Sequence, residues 1–193
     1  MILEKTKDKL LLVGAGGFGR VVLEHAIKEY VCAFIDDGVP VGTMVNDVPV
    51  GGKISDIGSL YGEYKKLIVV IGNNSLREKV YREAAKIGYD FPNIIAPSAY
   101  LSPYSTIGKG CVILNNVVVQ NGAVLGDGVI LNPGVEAHQD SNIGNNVLVY
   151  ANSVIRSLTH IGDRAWIGCN VSIGTGVTVP EDVRVEDGSV IND

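Results

Sequence analysis

The chain has 193 residues, 46% of them hydrophobic and 19% charged, which suits one ordinary globular domain or two small ones and not a disordered polymer. Glycine is in excess at 24 residues while aromatics make up only 6%, a profile that disfavours a helical bundle. A net charge of −5 with no run of Lys or Arg excludes the basic footprint of nucleic-acid or anionic-membrane binding. No apolar stretch reaches the roughly 18 residues of a membrane span, and the first residues do not form a signal-peptide pattern, so a cytoplasmic protein is expected. Cys32, Cys111 and Cys169 include no CxxC pair and read as buried thiols in a reducing compartment, not as disulfides or zinc ligands.

Lys9 to Val13 reads as a buried strand, and Gly14-Ala15-Gly16-Gly17-Phe18-Gly19-Arg20 follows it as a GxGxxG loop opening an amphipathic helix to about Tyr30. Val31 to Ile35 is a second strand ending in Asp36-Asp37, roughly where a dinucleotide fold places the carboxylate that holds ribose hydroxyls. A third strand, Leu67 to Ile71, ends at Gly72-Asn73-Asn74, and Ser75 is placed to cap a helix from Leu76 to Ile87. About 90 residues precede the next pattern, enough for half of a doubly wound fold and for one nucleotide rather than two. Glycines in such a loop let backbone amides approach a diphosphate at a helix N-terminus; the alternative is a tight turn that binds nothing. Residues 1–90 are thus expected to form a βαβ lobe sized for one nucleotide, with Pro92, Pro97 and Pro103 marking the passage to residues 91–193.

From Leu101 to Ile191 every sixth residue is aliphatic, sixteen positions without a slip, with Ala137 the one unbranched member. Four places after each stands a small or β-branched residue, and glycine often follows directly, as in Ile107-Gly108, Leu125-Gly126 and Ile143-Gly144. Period six fits neither an α-helix nor an alternating strand; it fits short strands joined by tight turns, three to a triangular coil of 18 residues. About five coils of parallel β-helix are expected, with the aliphatics stacked inside. Charge divides the halves: residues 1–100 hold 12 basic and 12 acidic residues, residues 101–193 hold 4 and 9.

This repeat resembles the hexapeptide-repeat transferases. Together with Gly14 to Arg20, Phe34-Ile35-Asp36-Asp37, Ile71 to Arg77 and Pro97-Ser98-Ala99, it looks like the sialic-acid O-acetyltransferase and UDP-amino-sugar N-acetyltransferase family over essentially the full chain. The resemblance implies an α/β half-Rossmann-like lobe followed by a left-handed parallel β-helix, usually trimeric. It also implies acetyl transfer from acetyl-CoA to the amine or hydroxyl of a nucleotide-activated sugar in glycan or glycoprotein biosynthesis, without a metal. The lobe would hold a UDP-sugar through Gly14, Gly16, Gly17, Phe18, Asp36, Asp37 and Asn73, and acetyl-CoA would lie along the β-helix between subunits, near Ser157, Gly168 and Asp187. Acetyl transfer needs a base for the nucleophile's proton and an amide for the oxyanion. The family carries a His at the third place of a hexapeptide; the register here puts Gln139 there, with Asp140 after it and His138 one residue early. A one-residue displacement turns a side chain to the other face. Either the corner relaxes and His138 serves with Asp140 as the base, or His138 is a surface residue and the protein is a sugar-nucleotide-binding or assembly protein that kept the scaffold. Phe18, where the family often has His, and Glu186-Asp187, beside the expected polyphosphate, are further departures.

Overall fold

The computed structural model describes residues 7–192. They form two compact units, residues 7–71 with 79–92, and residues 72–78 with 93–192.

The first unit is built on β1 (Asp8–Val13), α1 (Gly17–Ala26), β2 (Tyr30–Ile35), β3 (Met44–Val45), β4 (Val48–Gly52), α2 (Ile57–Leu60) and β5 (Lys66–Val69). The sheet order is β3-β4-β2-β1-β5, parallel except for the β3–β4 hairpin. Asn46 and Asp47 turn that hairpin with φ of 46° and 62°, the left-handed pair that suits two-residue hairpins. Leu10, Leu11, Leu12 and Val13 are fully buried, as are Leu67, Ile68 and Val69: the continuous apolar runs of parallel strands covered on both faces. The hairpin and α2 had no signal in the sequence reading. The last helix, α3 (Asn74–Ile87), starts two residues before the expected Leu76, because its cap is Asn73 and not Ser75: the Leu76 N–H donates to Asn73 Oδ1 at 2.9 Å.

The second unit is a left-handed parallel β-helix of two-residue strands on three faces. Face one runs from Ile94–Ile95 through Val112–Ile113, Ile130–Leu131, Leu148–Val149 and Trp166–Ile167 to Arg184–Val185. Face two runs from Tyr100–Leu101 through Val118–Val119, Glu136–Ala137, Val154–Ile155 and Ser172–Ile173 to Val190–Ile191. Face three runs from Thr106–Ile107 through Val124–Leu125, Asn142–Ile143 and His160–Ile161 to Thr178–Val179. The β-helix therefore begins at Ile94–Ile95, paired with Val112–Ile113, inside the segment read from sequence as a connector. Strands pair with partners 18 residues on, and the ladder aliphatics from Ile113 to Ile173 are almost wholly buried.

The small fifth-position residues do more than fit a narrow interior. Ser141 Oγ donates to the His138 carbonyl at 2.7 Å, Ser153 Oγ to Gly168 and Thr159 Oγ1 to Gly174, so each buried hydroxyl satisfies a corner carbonyl. The glycine after the ladder residue serves close approach rather than unusual torsion. A Cβ on Gly126 would stand 2.7 Å from Asn145 Oδ1, and one on Gly144 would collide with Asp163 Oδ1. These side chains accept the amide one coil earlier: Lys109 N–H to Asp127, Asp127 N–H to Asn145 and Asn145 N–H to Asp163, at 2.7–2.9 Å.

Gly72–Glu78 completes this unit. Arg77 is fully buried and donates through Nε to the Gly128 carbonyl at 3.0 Å and through Nη2 to the Asn146 carbonyl. Asn74 Nδ2 donates to the carbonyls of Arg164 and Ala165 at 2.8 and 3.0 Å. Gly128, Asn146 and Arg164 are the same corner on three successive coils. Arg164 itself binds Asp182 at 2.8 Å, Glu181 at 2.7 Å and Glu78 at 3.3 Å, and the Asp182 bond is the main reason its guanidinium pKa is raised.

Candidate active site

In the lobe, Gly14 takes φ of 113°, and a Cβ on Gly19 would collide with the Gly14 carbonyl, so these two glycines shape the turn. Gly16 and Gly17 are different: both are exposed, and a Cβ on Gly16 would meet nothing within 4 Å. Gly16 is the N-cap of α1 and supplies no side-chain cap to the first-turn amides at Gly17 and Phe18; Phe18 is half-buried. Asp36 braces this loop: Oδ2 accepts the Ala15 N–H at 2.7 Å, and Oδ1 accepts the N–H of Gly38 and Val39 at 2.7 and 3.0 Å. Asp37 Oδ1 accepts the Ile54 N–H at 3.0 Å. Both carboxylates thus fix loop geometry through backbone amides, a role that sequence did not show. Asn73, the remaining lobe candidate by sequence, caps α3 in the second unit.

On the β-helix the register does not relax at His138. Ala137 is fully buried and pairs with Val119 and Ile155, and the His138 N–H donates to the Ile155 carbonyl at 2.9 Å. The imidazole lies outside face two, where its carboxylate partner is Glu136 and not Asp140: Nε2 to Oε2 is 3.1 Å. Residues two apart on a strand share a face, and Asp140 sits beyond them in a left-handed corner at φ of 58°. The Glu-x-His spacing was legible in the sequence and was missed. Gln139 is exposed, its amide donating to Gln120 Oε1 at 3.2 Å.

Ser157 stands at the same corner one coil on, and among the described residues its N–H meets no acceptor, nor does that of Thr175 a coil further. Gly168 and Asp187 lie at the corner between faces one and two, where Asp187 Oδ1 accepts the Cys169 N–H at 2.7 Å and packs against Gly168. Glu186 binds Arg184 at 2.8 Å. Within one chain, then, His138, Gln139, Asp140 and Ser157 come together, and Gly168 with Asp187 stand apart from them. Trp166 packs against Tyr150, with the Arg184 guanidinium 3.6 Å from its ring centre. His160 stacks between Asn142 and Thr178 in a groove of about 490 Å³ on face three.

Comparison with known proteins covers both units. The PglD N-terminal domain model matches residues 9–84, and the bacterial transferase hexapeptide (six repeats) model matches residues 104–139. The acetyltransferase domain of PglB from Neisseria gonorrhoeae FA1090 is 33% identical with a TM-score of 0.90, over 96% of this chain and 91% of that one. Its complex with acetyl coenzyme A gives 34% and 0.88, over 97% and 94%. A mutant of perosamine N-acetyltransferase from Caulobacter crescentus, in complex with CoA and GDP-perosamine, is 30% identical with a TM-score of 0.89, over 95% and 88%. No described helix is long and apolar enough to cross a membrane. An unbroken hexapeptide register behind a glycine-loop lobe, matched along nearly its full length at these identities, makes the chain a member of the hexapeptide-repeat sugar acyltransferase family.

Proposed function

We propose that the protein is a cytoplasmic homotrimer that transfers the acetyl group of acetyl-CoA to an amine or hydroxyl of a nucleotide-activated sugar. The observation that carries the reading is the Glu136–His138 pair beside the open Ser157 amide, on a chain 30–34% identical to acetyltransferases described with acetyl-CoA or with CoA and GDP-perosamine. With Glu136 accepting Nε2–H, the imidazole is held in the tautomer whose Nδ1 lone pair is free. Nδ1 takes the proton as the nucleophile attacks the acetyl carbon, and returns it to the departing CoA sulfur as the C–S bond breaks. The Ser157 N–H donates to the carbonyl oxygen as charge develops there. The amides of Ser157 and Thr175, like that of Asn121 at the same corner, meet no acceptor among the described residues and can serve a carbonyl-bearing ligand. Glu186 and Asp187, already engaged by Arg184 and the Cys169 amide, need not oppose a polyphosphate. Gly168 and Asp187 reach the same acetyl-CoA only from a neighbouring subunit, which fits a ligand lying between protomers.

The lobe would seat the nucleotide on the Gly16–Phe18 amides. A UDP-sugar is the expected acceptor, and the GDP-perosamine of the Caulobacter enzyme puts GDP-sugars in the same trial. Acetyl-CoA is incubated with UDP- and GDP-linked amino sugars and free thiol is followed. Release that falls at least a hundredfold in His138→Ala supports the reading; release unaffected by His138→Ala removes His138 from it. The exposed Gln139 at the family's base position supports the second reading, a binding protein without chemistry, for which calorimetry would show nucleotide-sugar binding and no thiol release.

A further inference from the structure

Four basic residues follow position 100: Lys109, Arg156, Arg164 and Arg184. Arg164 is tied to three carboxylates, and Arg184 lies on Trp166 and binds Glu186. Arg156 is exposed and has no side-chain partner among the described residues, in a segment that carries nine acidic residues. Its place is fixed: the Arg156 N–H donates to the Ile173 carbonyl at 3.1 Å, and Ile155 pairs with Ala137, so Arg156 stands one coil, about 4.8 Å, beyond His138. Ser157, whose amide is open, follows it directly. The next coil turns this corner as Gly174-Thr175-Gly176, and a Cβ on Gly176 would meet nothing within 4 Å. A guanidinium with a free fork therefore borders a corner with little side-chain cover, beside the imidazole.

We propose that Arg156 recognises an oxyanion on the acceptor: a phosphate of the nucleotide diphosphate or a carboxylate on the sugar. The proposal rests on the acetyltransferase reading. A guanidinium presents parallel N–H donors that match either group in bidentate fashion. The anion belongs to the acceptor and not to CoA, because Arg156 adjoins the amide assigned to the thioester, and the pantetheine arm carries the CoA phosphates away from that atom.

Arg156→Ala and Arg156→Lys are compared with the parent for a UDP-amino sugar, a UDP-amino uronate and a free amino sugar, with acetyl-CoA saturating. Loss of a charge-assisted bond predicts a fall in kcat/KM of roughly ten- to a hundredfold for Arg156→Ala, carried by the acceptor KM, with partial recovery in Arg156→Lys. A penalty on both nucleotide-linked acceptors but not on the free sugar names the diphosphate. A penalty only on the uronate names the carboxylate. Equal penalties on all three, or a change confined to the acetyl-CoA KM, overturn the proposal. Calorimetric titration of inorganic pyrophosphate and glucuronate into parent and Arg156→Ala trimers is the readout that needs no turnover. Arg156-dependent binding without acetyl transfer would keep the anion site and refute the acetyltransferase reading. Binding of neither anion, or of both equally in the two proteins, alongside normal transfer kinetics in Arg156→Ala would do the reverse.

Discussion

Replacing Arg77 with Ala removes the donor for two corner carbonyls, Gly128 and Asn146, from a position with no solvent access to replace it. Charge-assisted hydrogen bonds contribute about 1.5–3 kcal/mol each, and a buried acceptor left without a partner costs about 1–3 kcal/mol. Releasing the guanidinium from burial offsets part of this, so a net loss of about 3–5 kcal/mol is expected, in the range for breaking a buried charged network. For a chain of this size that lowers the unfolding midpoint by about 10 °C. Arg77→Lys should recover only part of this, because an ammonium lacks the guanidinium's rigid set of donors. The measurement is equilibrium urea unfolding at fixed protein concentration, with the thermal midpoint alongside. A loss below about 1 kcal/mol at unchanged m-value, or an Arg77→Met variant as stable as the parent, would refute the reasoning.

Leu158 is 61% exposed and holds φ of 61°, where the same corner on other coils uses Gly122, Asp140 and Gly176; Leu158→Asn should raise stability by about 1 kcal/mol in a thermal melt, and a lower midpoint would show that the side chain has a partner in the assembly. Gly19→Ala should destabilise the lobe by more than 2 kcal/mol through collision with the Gly14 carbonyl, whereas Gly16→Ala should fold normally, so that weaker nucleotide-sugar binding by Gly16→Ala reports ligand contact. Burial pushes the Cys111 thiol up to about 12 and the Cys32 thiol up to about 11, so at pH 8 almost no thiolate forms at either; a disulfide reagent should modify Cys169 first in the native protein, and rapid modification of Cys111 would contradict its burial. Glu136→Gln should keep the fold and lower acetyl transfer about tenfold or more, while unchanged turnover would leave Glu136 no part in orienting His138.

The β-helix was legible because one inward position in six must be aliphatic, and sixteen repeats of that demand outweigh any local propensity. The lobe's strands and GxGxxG turn were legible for the same reason: apolar runs and glycines answer to local geometry. What stayed hidden depends on pairs distant in sequence. Asn74 and Arg77 stood in a quoted motif, yet nothing local says that their donors meet carbonyls 51 to 91 residues away. Asp36 and Asp37 carried the ribose expectation by position, and the structure adds three loop amides for the first and one for the second. At His138 the offset from the family place was visible, but its partner was sought one residue past Gln139 rather than two residues back on the same face.

The amides at the corner between faces three and one look in both directions along the stack. Lys109 relies on Asp127, Asp127 on Asn145, and Asn145 on Asp163, each a side chain of the coil that follows, whereas Gly128, Asn146 and Arg164 donate to carbonyls of the coil before. Every interior coil is therefore stitched to both neighbours at this one edge. Removing a coil from the C-terminal side uncaps the first kind of amide, and removing one from the N-terminal side frees the second. Hydrogen exchange at Lys109, Asp127 and Asn145 set against that at Gly128, Asn146 and Arg164 would thus show from which end the stack unravels, in steps of 18 residues.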